Sequence, residues 1–504
     1  MPESSHHNTQ NYAQTSEQLK TGIKQKFIKG SLITIFAQSI IFSLQIGATF
    51  VLGYFLLPED FGLIGMVSVV LGFIELFKDL GLSNAAIQSD EINDQQINTL
   101  FWINVALSIV LSILFIVLSP VLASLYKQPR LVNIVLALSL TFVFRGLSAQ
   151  HRALLKRQMS FPSLAKIDIC AKLLSTAIVI LAAWSGLGYW SLVLWRLSQA
   201  AAESVGTWLV CPWKPKKAAW ASGTKKLLLF GSNVTGFNIV NYFSRSSDNF
   251  LIGLVWGAGP LGLYAMAYRL LLLPIQQINA PFTSVVLPTL CRLQNQPKKY
   301  SNYYYKSIFF VATVGMSVVG LVFLEIDDVI SIVFGSEWQG AIPIFKALVP
   351  AAMVGTLNVA DGWAYQSLGN VDRMLKWGVV NASINIVSFI VGLKWGAIGV
   401  AAAFSISTLL RFAPRFIYCY QGTVLTFKQL LITLVPPFFS TVIAVGTLEL
   451  FFQTVDLSMP LLFEVAIGCL AYALIYITAW LTLPGKQFSY AELYRVSHEL
   501  IKFK

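Results

Sequence analysis

Apolar stretches of about 20 residues recur along the whole chain between short polar intervals, the pattern of membrane-crossing helices. They predict spans near 31–57, 61–82, 99–119, 131–149, 165–184 and 189–209, and a pair between Asn238 and Gln277. Further spans follow near 307–324, 343–366, 374–393, 396–418, 429–452 and 461–483. The expected fold class is all-α: a polytopic membrane protein with 14 transmembrane helices and both ends on one side. The short alternating strands of a membrane β-barrel are absent from the pattern. No polar interval between spans exceeds roughly 25 residues, so no large soluble domain is expected.

Polar residues interrupt these runs at helical spacing. Asn238, Asn241, Arg245 and Asp248 stand at i, i+3, i+7 and i+10, which is one helix face. After a turn at Trp256-Gly257-Ala258-Gly259-Pro260, Arg269 and Gln276 share a face of the next helix. Gln38 and Gln45, with Thr34 and Thr49, form a polar stripe on the first span. Asn358, Asp361 and Tyr365 repeat the pattern on span ten, and Asn381 with Asn385 does so more weakly on span eleven. Lys78, Arg145, Lys172, Arg196 and Lys346 add charge within or at the ends of spans. Lipid cannot hydrate such groups, so they are expected to face protein or a watery cavity. Sequence neighbours offer local partners for some of them. Lys172 follows Asp168 by one turn, Arg196 shares a face with Gln199 and Glu203, and Lys78 lies beside Asp79 and near Glu75.

Composition agrees with this reading. Of 504 residues, 56% are hydrophobic and only 12% charged, and the mean hydropathy is +0.67. A soluble protein of this length carries far more charge. The net charge of +13 raises the question of nucleic acid. The basic residues, however, sit in short loops on one side of the spans, Arg411 and Arg415 being counted there with Lys428. Only Lys127, Arg130 and Lys394 fall in loops on the other side. The positive-inside rule accounts for that bias and places both termini in the cytoplasm, with no nucleic-acid partner expected. Five scattered cysteines form no metal or disulfide motif, so no metal or cofactor is expected. The four histidines, His151 among them, fall outside the apolar runs, which argues against a histidine relay within the membrane.

A repeat organises the spans. Gly30-Ser31 opens span one and Gly231-Ser232 opens span seven. Gly53 precedes Gly62 by nine residues, and Gly253 precedes Gly262 by the same interval. Six spans separate the copies, so the halves share one orientation, a parallel repeat of two six-helix lobes. The expected organisation is a cytoplasmic segment 1–30, an N-terminal lobe 31–226, a C-terminal lobe 227–420, two additional helices over 421–484 and a cytoplasmic tail 485–504. Transporters of this plan bind substrate near the midplane and expose it alternately to each side.

Leu57-Pro58-Glu59-Asp60-Phe61-Gly62, then Asp79-Leu80-Gly81-Leu82-Ser83 and Ala86-Ile87-Gln88, resemble the opening of Wzx-type polysaccharide flippases. These belong to the multidrug/oligosaccharidyl-lipid/polysaccharide exporter superfamily. Arg145-Gly146, Ala153-Leu154-Leu155-Lys156-Arg157, the glycine-tyrosine-tryptophan segment at 186–190, and Asp248 through Tyr268-Arg269 are similar too. The resemblance covers roughly 30–420 and is most specific in its first block. It implies a 14-span fold in the bacterial inner membrane. It also implies movement of undecaprenyl-pyrophosphate-linked oligosaccharides from the cytoplasmic to the periplasmic leaflet, for O-antigen, capsule or exopolysaccharide synthesis. The implied partners are that lipid-linked substrate, membrane lipids and other polysaccharide assembly proteins. No P-loop motif for ATP is present, so Na+ or H+ coupling, or the lipid's own gradient, would drive transport.

Under this resemblance Arg269 is the foremost diphosphate ligand, because a guanidinium fork matches phosphate oxygens. Arg245, Asp248, Asn241 and Gln276 extend the same wall, although Arg245 with Asp248 also reads as a buried ion pair, and Asp248 as a coupling-cation site. Gln38, Gln45 and Asp361 are candidate sugar or cavity contacts, and Lys78 and Arg196 candidate phosphate contacts, against structural roles for each. The competing functions are an ion-coupled multidrug exporter of the same superfamily and, from another class, a membrane glycan polymerase or acyltransferase. The two extra spans and the cationic polar faces disfavour the exporter. The lack of a long exposed loop or intramembrane histidine disfavours an enzyme.

Overall fold

The computed structural model describes residues 23–76, 93–217, 242, 246–454 and 461–483. Among these residues every regular element is helical. Ten segments are long and apolar enough to cross a membrane, and one of them, Val371–Tyr420, contains two helices around the turn Leu393–Trp395. The expected 14 spans are therefore not all visible by composition. Pro58–Glu75 carries Glu59, Asp60 and Glu75, and Tyr189–Val210 carries Arg196, Gln199 and Glu203. Most of the expected seventh span lies outside the described residues.

The chain divides into two compact units. The first is built from α1 (Ile23–Phe55), the later turns of α2 (Pro58–Glu75), α3 (Asp94–Leu125), α4 (Arg130–Arg157), α5 (Phe161–Trp184) and α6 (Tyr189–Val210). Local chemistry sets several boundaries. Asn93 caps α3 by accepting from Gln96 N at 2.8 Å, and the Gln96 side chain accepts from Asn93 N at 3.2 Å. Pro120 is accommodated inside α3, as membrane helices allow. The segment 211–217, which precedes the lobe boundary expected after residue 226, is pinned back on α3. Asn98 Nδ2 donates to Lys217 O at 2.7 Å, and Trp102 Nε1 donates to Lys216 O at 2.8 Å. Trp213 joins Phe101, Trp208 and His151 in one aromatic cluster. His151, placed outside the spans by sequence, is thus fully buried within α4.

The second unit contains Leu57–Met66, a helical stretch 246–256, α7 (Ala258–Leu293), α8 (Pro297–Val329), α9 (Ala341–Gly355), α10 (Ala360–Ser367), α11 (Val371–Gly392), α12 (Gly396–Tyr420), α13 (Phe427–Thr454) and α14 (Leu461–Thr482). Span ten is broken into α9 and α10 around Asn358. The tyrosine-rich stretch expected as a loop at 291–306 is mostly helix, with a proline at its first position. Its tyrosines are core residues: Tyr304 OH donates to Ala360 O at 3.0 Å and meets Tyr420 OH at 3.1 Å, and Tyr300 OH meets Ser367 Oγ at 2.7 Å. Glu325, Asp327 and Asp328, expected in an outer loop, lie in the last turns of α8. The C-terminal helix docks on α8 through Tyr472 OH to Ser317 O at 2.9 Å and Tyr476 OH to Thr313 O at 2.8 Å.

Backbones approach closely where small residues permit it. Gly62 and Gly262 cross within the second unit: a Cβ on Gly62 would meet the Ala258 carbonyl, and one on Gly262 the Pro58 carbonyl. Elsewhere large apolar side chains face outward, including Val110, Ile113, Val117, Val387, Ile390 and Leu410. Such a surface suits acyl chains, and the protein is a multi-pass membrane protein.

Candidate functional site

In the first unit polar residues of five helices are linked. Arg145 on α4 forms an ion pair with Glu75 at the end of α2. Arg196 on α6 donates to Ser68 Oγ at 2.8 Å, and its charge interacts with those of Glu75 and Arg145. Among the described residues Arg145 is the cation paired with Glu75, and the nearby Arg196 charge adds to that neutral pair. The Arg145 side chain is 38% exposed and Arg196 is half-buried. Next to Arg196 in sequence, the Trp195 ring lies 4.5 Å beneath the Lys172 ammonium. Lys172 also donates to Gln45 Oε1 on α1. Gln38, on the same helix, is exposed.

Local pairing expected from sequence gives way to tertiary partners here. Asp168 is engaged by Arg152, at 2.8 and 3.3 Å, and Lys172 turns to Gln45. Gln199 donates to Glu203 at 3.0 Å, while Arg196 reaches Ser68. Glu75 takes Arg145 as its partner, and Lys78 lies outside the described residues.

The second unit holds its own polar groups. Asp248 is buried and accepts from Tyr264 OH at 2.9 Å and from Asn249 N at 2.7 Å. Arg269 is half-buried on α7. Arg245, Asn241 and Asn238 lie outside the described residues, as does the side chain of Gln276. Asp361 on α10 is bound by Arg415 of α12, whose Nε and Nη2 reach the two carboxylate oxygens at 2.8 and 2.5 Å. Arg415 also donates to Asn358 Oδ1 at 2.6 Å. One turn earlier Arg411 is buried among neutral acceptors: Ser407 O at 2.8 Å, Asn381 Oδ1 at 2.5 Å and Asn385 Oδ1 at 2.6 Å. Among the described residues no group of three or more His, Cys, Asp and Glu is arranged to hold a metal ion.

Residues 51–343, more than half of the chain, match the family described as "Polysaccharide biosynthesis protein". The chain belongs to the polysaccharide biosynthesis protein family. It is 24% identical over 426 residues to the lipopolysaccharide biosynthesis protein WzxC of Escherichia coli (strain K12), covering 83% of this chain and 86% of that one. It is 27% identical over 423 residues to the teichuronic acid biosynthesis protein TuaB of Bacillus subtilis (strain 168), covering 81% and 86%. Its fold is similar to that of the lipid II flippase MurJ in an inward closed conformation, with a TM-score of 0.70 at 15% identity, over 90% of this chain and 98% of that one.

In this polysaccharide biosynthesis protein the structure brings Gln45 and Arg196 into the first unit's polar network and places Arg269, Asp248 and Asp361 in the second unit. Sequence reading missed Glu75 with Arg145 as a pair, and gave Arg411 and Arg415 to the cytoplasmic side. Their i, i+4 spacing on span twelve, opposite the Asn381/Asn385 pattern of span eleven, is the signal that marks them as interior.

Proposed function

We propose that the protein flips undecaprenyl-pyrophosphate-linked oligosaccharides from the cytoplasmic to the periplasmic leaflet of the inner membrane by alternating access, with both termini cytoplasmic. The polysaccharide-assembly names of WzxC and TuaB, each aligned over most of its length, support this substrate class. The observation that carries the reading is the Arg145–Glu75–Arg196 cluster in the first unit. The Arg145–Glu75 ion pair is neutral, so the Arg196 guanidinium close to it leaves a net positive site within apolar helices. A diphosphate is the anion that satisfies such a site, because each guanidinium offers paired donors to phosphate oxygens. Ser68 and Gln45, polar groups of the same unit, suit sugar hydroxyls. The prenyl chain stays in lipid against the outward apolar side chains. Arg269 and Asp248 are the second unit's proposed contributions, and a Na+ or H+ gradient or the substrate's own gradient drives the cycle.

Complementation of a flippase-null strain tests this reading. Arg145→Ala and Arg196→Ala, at membrane levels matched to the native protein, are expected to lower surface polysaccharide at least about tenfold, the loss of one charge-assisted contact. Full rescue by both variants would remove the cluster from the substrate path.

A further inference from the structure

We propose that a cleft of the second unit, between the start of α8 and the residues leading into α13, is a phosphate-binding site separate from the Arg145–Glu75–Arg196 cluster. The cleft has a volume of about 530 Å³. Its lining includes Lys298, Ser301 and Asn302 from α8 and Thr426 and Gln429 from the start of α13. One wall is held in place by Tyr305, which is buried. Its hydroxyl donates to Thr426 O at 2.8 Å and accepts from Thr426 N at 2.7 Å. The cleft is therefore preformed by a rigid contact across 121 residues of sequence.

The donor set selects the ligand. Among the described residues Lys298 supplies the one charge in the lining, and no carboxylate lines the cleft. Lys298 enters no ion pair among the described residues. Ser301 adds a hydroxyl donor, and Asn302 adds an amide donor. A tetrahedral oxyanion with several acceptor oxygens uses an ammonium, a hydroxyl and an amide together, whereas a neutral sugar leaves the ammonium without a counter-charge. Arg292, Lys299, Lys306 and Lys428 lie within eight residues of lining positions and raise the positive potential at this end of the helices. The phosphate comes either from an anionic phospholipid headgroup, held where the helices meet the interface, or from solution.

The full-length protein in detergent tests the site. Binding of inorganic phosphate and of phosphatidylglycerol is measured for the native chain, Lys298→Ala, Asn302→Ala and Lys428→Ala, by native mass spectrometry and by ligand-induced shifts in melting temperature. The native chain is expected to retain phosphatidylglycerol over phosphatidylcholine, or to bind phosphate. Lys298→Ala weakens that binding about fivefold, the effect of one lysine near an anionic headgroup. Asn302→Ala weakens it without changing net charge, and Lys428→Ala, outside the lining, weakens it less than Lys298→Ala. Binding of phosphate by itself identifies a soluble anion, and binding of phosphatidylglycerol without phosphate identifies a headgroup site. Binding of neither ligand would overturn the proposal. So would equal loss in Lys298→Ala and Lys428→Ala, or native affinity in Asn302→Ala.

Discussion

Arg415→Ala should destabilise the second unit by about 3–5 kcal/mol, the usual consequence of stranding one member of a buried ion pair. Arg415 and Asp361 keep only 17% and 10% of their side-chain surface exposed. Arg415 grips both carboxylate oxygens and also holds Asn358 through its side chain and its carbonyl, the latter at 3.2 Å. Asn358 stands in the break between α9 and α10, where helical hydrogen bonding is interrupted. Removing the guanidinium therefore leaves a carboxylate in an apolar interior and frees a backbone break. Asp361→Ala should be comparably costly, because it strands the cation instead. The double variant should recover part of the loss, since neither charge then remains unpaired. Thermal unfolding of the three variants in detergent checks this, and a native-like melting temperature for Arg415→Ala would refute it.

Gly262→Leu should abolish accumulation of folded protein, and Gly62→Val should do nearly the same. Ordinary overpacking costs about 1–3 kcal/mol because side chains can shift. Here the added atoms meet main-chain carbonyls, those of Pro58 and Ala258, which cannot move without displacing a helix. Gly65 provides the contrast. A Cβ there meets only the end of the Leu261 side chain at 3.2 Å, so Gly65→Ala should be tolerated. Size-exclusion profiles of fluorescent fusions before and after heating separate the two outcomes. Folded Gly262→Leu at native levels would mean that the crossing is not tight.

The helical class and many span boundaries were legible because apolar length and turn residues act locally. Asn93 and Gln96 cap α3 where the apolar run begins, and the pair Gly62 and Gly262 stands out at a shared spacing in the chain. Charge partners were not legible in the same way. A helical i, i+4 pair contributes only about 0.2–0.5 kcal/mol, so Asp168 turns to Arg152 and Lys172 to Gln45 once tertiary packing brings them together. Glu75 finds Arg145, 70 residues away in sequence. Arg411 and Arg415 were counted with a loop because a positive-inside count assigns cations near a span's end there, whereas their bonds to Asn381, Asn385 and Asp361 lie between helices. Tyr300, Tyr304 and Tyr305 fall in a polar interval between spans in sequence, yet their hydroxyls bond within the helical core.

Reconstituted flipping decides most directly whether the first unit's guanidinium pair carries the substrate. The purified protein is placed in liposomes loaded on one side with an undecaprenyl-pyrophosphate-linked glycan, and glycan appearing on the opposite leaflet is followed over time. The native chain should translocate it, and Arg145→Ala and Arg196→Ala, folded to the same extent, should each be slower by at least about tenfold. Native rates in both variants would contradict a diphosphate held by Arg145 and Arg196.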